Sequence, residues 1–197
     1  ADGSAIPSSV VAKRMVVNAT GIGQVEFKAR AYPGAMRSVT GSMTTAASLT
    51  VGTGVNWCAT VRDANGFAVD SATITYTMGG TTMGTMVGQL GGTTCLTATS
   101  TTAGTYGLGV DVTAPIRPYQ GTLAPIVWPV TTSAGTVTLT PGPVISLTKV
   151  SGDAQTGTRG NALTNPIRVK VTDQYGNAVS GTSVSFVILS GGGTLDR

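Results

Sequence analysis

The chain has 197 residues, 41% of them hydrophobic, enough to bury a proper core in one or two domains. Only 10% are charged, against roughly 25% in an ordinary globular domain, and the net charge of +4 reflects scarce acids rather than clustered bases. With aromatics at 5% and no apolar run near the roughly 20 residues of a spanning helix, neither a nucleic-acid partner nor a membrane span is expected. Solubility must rest on Ser, Thr and Gly, as in many secreted β-proteins. The 28 glycines and 9 prolines among β-branched residues predict short strands joined by turns, an all-β chain.

Residues 1–35 come first, and their opening ADGSA suits a mature terminus left by signal-peptide removal. Two strands are predicted here, Val10 to Val17 and Val25 to Tyr32. In the second, Val25, Phe27, Ala29 and Ala31 alternate with Glu26, Lys28, Arg30 and Tyr32. Lys13, Arg14, Lys28, Arg30 and Arg37 read as the solvent face of these strands. The segment is too short for a stable domain and must pack on a neighbour. Asn18-Ala19-Thr20 fits the short N-glycosylation pattern, which also arises by chance.

Residues 36–140 form the first domain. In residues 55 to 61, Val55, Trp57, Ala59 and Val61 share one face while Asn56, Cys58 and Thr60 share the other, which places Cys58 on the polar side. Cys95, next to the apolar positions Leu96 and Ala98, also points outward. Cys58 and Cys95 are the only cysteines, and on neighbouring strands they suggest a cross-strand disulfide, worth about 3 to 4 kcal/mol by loop entropy and implying an oxidising compartment. A metal site is not expected, since two cysteines with no histidine cannot close a zinc tetrahedron.

The stretch VRDANGFAVDSATITYTM, residues 61–78, carries an Asx- and Gly-containing turn and then a strand with Ala72, Ile74, Tyr76 and Met78 facing inward. A Gly- and Met-rich passage follows, with Met83 and Met86 read as filling a core edge or loop rather than holding a soft metal. The strands CLTATS and AGTYGLGVDVT add Leu96, Ala98, Tyr106, Leu108, Val110 and Val112 to the core. APIRPYQGTLAPIVWPV reads as an extended loop, with Tyr119 and Trp128 its candidate ligand contacts. GTVTLT closes the domain.

Pro141-Gly142-Pro143 is a stiff linker, and residues 144–197 form the second domain. VTDQYGNAVSGTSVSFVI, residues 171–188, repeats the 61–78 stretch, with Thr182, Val184, Phe186 and Ile188 as the inward set. Here the sequence resembles the bacterial immunoglobulin-like domains found in tandem in invasin- and intimin-type adhesins. The resemblance is carried by SGDAQTGT, PIRVKVTDQYGNAVSGTSVSF and SGGGTL, well over residues 147 to 195 and more loosely over 55 to 112. It implies tandem β-sandwiches of two antiparallel sheets. By that pattern the second sandwich is incomplete: after its repeated strand the first unit continues from 79 to 140, the second only from 189 to 197. Either the sequence ends inside the domain or another chain supplies strands.

Histidine is absent, which excludes Ser-His-Asp and Cys-His nucleophiles and HExxH zinc sites. Neither a P-loop nor a dinucleotide fingerprint occurs. Asp63 and Asp70 read as turn residues rather than a carboxylate pair, and Asp63, Asn65 and Asp173 are candidate calcium ligands between the domains. No cofactor is expected. The expected function is non-enzymatic: a bacterial cell-surface or extracellular stalk, adhesin or filament subunit, with protein partners or self-assembly through the open second sandwich. The alternative is a carbohydrate-binding or accessory module of a secreted enzyme, stacking glycan on Trp128, Tyr119 or Trp57.

Overall fold

The computed structural model describes residues 11–19, 23–31, 36–63, 65–69, 72–89, 92–113 and 130–195. The described chain is all-β, without a helix, and divides into two compact units, Ala1–Thr140 and Pro141–Arg197.

The first unit starts with a two-stranded antiparallel ribbon, β1 (Val11–Ala19) and β2 (Gly23–Ala31), hydrogen-bonded to no other described strand. Its register pairs Val11 with Ala31, Lys13 with Ala29, Met15 with Phe27 and Val17 with Val25. Arg14 with Lys28 and Ala12 with Arg30 fall on the alternate pairs.

Two sheets then enclose one core. The first is β3 (Met36–Met43), β5 (Val55–Asp63) and β8 (Thr93–Ala98), in the order β3-β5-β8. The second contains β4 (Ser48–Thr50), β6 (Thr73–Met78), β7 (Thr81–Val87), β9 (Gly104–Thr113) and β10 (Val130–Thr140), in the order β4-β10-β9-β6-β7. Strict alternation in β5, β6 and β9 sends one residue in two into the interior, where burial of apolar area drives collapse. Trp57, Val55, Ile74, Tyr76, Val110 and Val112 are fully buried there. Trp57 and Tyr76 meet edge to face from opposite sheets, with ring centroids 5.8 Å apart. The Tyr76 hydroxyl donates to the Thr94 carbonyl, joining β6 to β8 through the core. The two sheets come close where β3 meets β10: a Cβ added to Gly41 would lie 2.8 Å from the Ser133 carbonyl oxygen.

The Met-rich passage after β6 is a strand, not a loop. A bulge between Tyr76 and Thr77 shifts the β6–β7 register, and it lets Met83 and Met86, three residues apart, both pack against the core.

The second unit contains β11 (Ser146–Ser151) and β12 (Arg168–Thr172), antiparallel. Leu147 pairs with Val171 as Val39 pairs with Val61 in the first unit. The expected strand over 181–188 does not form. Its counterpart β6 is held between β9 and β7, and no described residue pairs alongside 182–189. Alternation supplies the side chains for a strand, but a ladder needs a neighbour.

Candidate functional site

The repeated turn recurs bond for bond. Asp63 Oδ1 accepts from the backbone N–H groups of Asn65 (2.8 Å) and Phe67 (2.9 Å). Asp173 Oδ1 accepts from those of Tyr175 and Asn177, both at 2.9 Å. Val69 N–H donates to the Val61 carbonyl and Val179 N–H to the Val171 carbonyl, at 3.1 and 3.0 Å, closing each loop onto its strand. Gly66 and Gly176 adopt φ of 81° and 83°, a left-handed conformation that favours glycine and fixes that residue in both turns. Asp63 and Asp173 are 4% and 3% exposed.

Asp173 carries two further bonds on Oδ2, from the backbone N–H of Gly142 and the Asn177 side-chain amide, both 2.9 Å. Burial raises its pKa, but these donors outweigh it and hold the carboxyl at about 2. The carboxylate thereby ties residue 142 to the turn of the same unit.

Cys58 and Cys95 occupy directly opposed positions on β5 and β8 and form a disulfide, with Sγ atoms 1.98 Å apart. Cys58 corrects one expectation. It stands opposite Trp57 in the strand's alternation, as the sequence implies, yet it is 4% exposed. Its strand is the middle one of three, so Ser42 and Cys95 flank it on either side, with Asn56 beside it. Cys95, on the edge strand, is exposed.

Around the disulfide, and across the outer face of the larger sheet, hydroxyls pair between strands. Thr60 with Thr93 (2.8 Å), Thr105 with Thr138 (3.1 Å) and Thr75 with Thr85 (3.4 Å) are examples. The Asn56 side chain donates to Thr97 at 2.7 Å. Such pairs are the cross-strand unit of sheet stabilisation, and they coat the first unit in uncharged polar groups.

The second unit has a different surface. Every buried apolar side chain among the described residues belongs to the first unit, and the one buried residue of the second is Asp173. Phe186 is 46% exposed where its counterpart Tyr76 is fully buried, and Ile188 is 44% exposed where Met78 is 5% exposed. Ile145, Leu147 and Val150 on the β11 side are also exposed. The expected inward set of Val184, Phe186 and Ile188 is therefore exposed, with no described strand paired alongside it.

Trp57 is fully buried, donating its indole N–H to the Gly109 carbonyl at 3.2 Å, and cannot stack on a glycan. Tyr119, Trp128, Asp70 and Thr20 lie outside the described residues. Among the candidate calcium ligands, Asp63 and Asn65 share the first unit's turn and Asp173 holds the second's. No group of three or more Asp, Glu, His or Cys that could hold a metal ion forms among the described residues. No described helix is long and apolar enough to cross a membrane. The exposed apolar side of 182–189 is the signal that alternation alone misreads, since alternation gives the same pattern whether or not a partner is present. Compared with known proteins, the chain matches no family model and no curated protein sequence.

Proposed function

We propose that this protein is a non-enzymatic structural component of a bacterial cell surface or extracellular assembly, built from tandem immunoglobulin-like β-sandwich units and working as a stalk, adhesin or filament subunit. The observation that carries the reading is the Asp-anchored turn, reproduced hydrogen bond for hydrogen bond at Asp63 and Asp173 together with its paired strands. A repeated β-unit of this kind is the building principle of extended modular proteins, in which length is gained by adding copies. The disulfide at Cys58 and Cys95 fits an oxidising exterior. The hydroxyl-coated sheet faces fit a surface that stays hydrated without a strong charge field. The second unit's exposed apolar side is where a protein partner would attach.

The glycan-binding alternative loses Trp57 to the core, and its other two candidates, Tyr119 and Trp128, lie outside the described residues. Protease shaving of intact cells tests the proposal: peptides from residues 36–113 should be released into the medium. Recovery of the chain solely from cytosolic extracts, with Cys58 and Cys95 reactive as free thiols, would overturn it.

A further inference from the structure

We infer that Asn65 is a site of spontaneous covalent modification: in the folded protein its side-chain amide is attacked by the backbone nitrogen of Gly66, and the product unfastens the Asp63 turn of the first unit.

Of the chain's asparagines, only Asn65 is followed by glycine. That neighbour matters because the reaction closes a five-membered ring through the next residue's nitrogen, and a side chain on that residue obstructs the approach. Asn65 and Gly66 are both exposed in the fold, so water and hydroxide reach them. A Cβ built on Gly66 would meet nothing within 4 Å, which leaves room for the ring. One bond holds the attacking nitrogen back, from the Gly66 N–H to the Asp63 carbonyl at 3.1 Å. An exposed turn, however, opens locally far more often than the sheets unfold.

The second unit supplies a control within the same chain. Its turn has the equivalent anchor, Asp173, and the same glycine geometry, with φ of 83° at Gly176 against 81° at Gly66. The residue before that glycine is Tyr175, whose ring carries no amide to be attacked. The two turns share a shape and differ in chemistry.

Water is the sole co-reactant. The Gly66 nitrogen, losing its proton to solvent, forms a bond to Asn65 Cγ; the Cγ–Nδ2 bond breaks and the amide nitrogen leaves as ammonia. Water then opens the cyclic imide at either of its two C–N bonds. Cleavage at Cγ gives aspartate. Cleavage at the main-chain carbonyl gives isoaspartate, in which the backbone runs through the side chain and is longer by one carbon, about 1.5 Å. That carbon enters between the N–H groups of Asn65 and Phe67, the two donors that Asp63 Oδ1 holds at 2.8 and 2.9 Å. Asp63 is 4% exposed, so the isoaspartyl turn leaves a buried carboxylate with its donors pulled apart and a new carboxylate two residues away. The link from β5 to β6 loosens as a result.

Incubation of the full 197-residue chain at mildly alkaline pH, folded and in parallel in urea, tests this by peptide mapping and by labelling with an isoaspartyl methyltransferase. The folded chain should gain about one mass unit at Asn65, at least tenfold faster than at Asn161 or Asn177, with methyl-accepting isoaspartate as the main product. Urea should accelerate the change, and Asn65→Gln should abolish both signals. Converted chains, separated by ion exchange, should unfold at a lower urea concentration than unconverted ones, with Trp57 fluorescence as the reporter. An Asn65 that stays intact in the folded chain while the urea-treated chain converts overturns the site. Converted chains that unfold at the unconverted midpoint overturn the release of the Asp63 turn.

Discussion

Removal of a single oxygen, in Tyr76→Phe, tests how the two sheets of the first unit are joined. The Tyr76 hydroxyl is buried and donates to the Thr94 carbonyl. Burial raises its pKa to about 12, and the Ala59 backbone hydrogen bond offsets that rise in part. At neutral pH the variant should lose about 1 to 3 kcal/mol, since a buried carbonyl is left without its donor while the ring packing survives. The alkaline limb should change in the opposite sense. In wild type the folded pKa lies above the ordinary tyrosine value of 10.0, so the stabilisation is complete below pH 10 and is lost as pH rises toward 12. The gap corresponds to about 2 to 3 kcal/mol. The variant has no such group, so its stability should fall less steeply over that window, and the two proteins should converge near pH 12. Urea unfolding between pH 7 and 12 reads both effects, with Trp57 as the reporter because its ring touches Tyr76. Parallel stability profiles for the two proteins would refute the reasoning, because the hydroxyl would then ionise as freely in the fold as out of it.

Three further outcomes are expected. Gly41→Val should destabilise the first unit by about 1 to 3 kcal/mol or more, because its Cβ would meet the Ser133 carbonyl at 2.8 Å and Ala134 at 3.0 Å; thermal unfolding measures it. The double variant Cys58→Ala, Cys95→Ala opens a loop with a sequence separation of 37 and should cost about 3 to 4 kcal/mol, with wild type under reductant losing a similar amount in denaturant titration. Asp173, held at about 2 in the fold, should stabilise the second unit's turn fully above pH 4 and progressively less as pH falls toward 2. Carbon-detected NMR titration of its carboxyl, with Asp173→Asn as control, follows this, and a midpoint at the ordinary value near 3.8 would contradict the bonding from Gly142, Tyr175 and Asn177.

The sequence discloses whatever depends on near neighbours along the chain. Alternation locates β5, β6 and β9 and names their buried residues, because in a strand the side-chain direction follows from position alone. The turns at Asp63 and Asp173 are legible for the same reason: carboxylate and backbone partners lie within four residues. The disulfide is legible because both cysteines fall on the non-core side of their strands. What stays hidden depends on distant partners. β7 is masked by the bulge at Tyr76, which breaks the period of two and makes a strand resemble a loop. β4 is three residues long and is fixed by parallel pairing with β10, more than eighty residues away. Cys58 is buried by the strands on either side of β5, which its own strand cannot reveal. The stretch 181–188 is the converse case, with a complete strand pattern and no described neighbour to pair with. Its pattern announces an inward face, and Val184, Phe186 and Ile188 on that face are exposed.

The cross-link between β5 and β8 has a mechanical consequence. When the chain is pulled along its backbone, the covalent bond at Cys58 and Cys95 lets the tension bypass everything between them. With a sequence separation of 37, about 120 Å of contour length is withheld from any unfolding event while the bond is intact. β6 and β7 lie wholly within this shielded loop, so pulling on the chain ends cannot extend that hairpin. Reduction would release the hidden length and convert a short, stiff element into a long, compliant one.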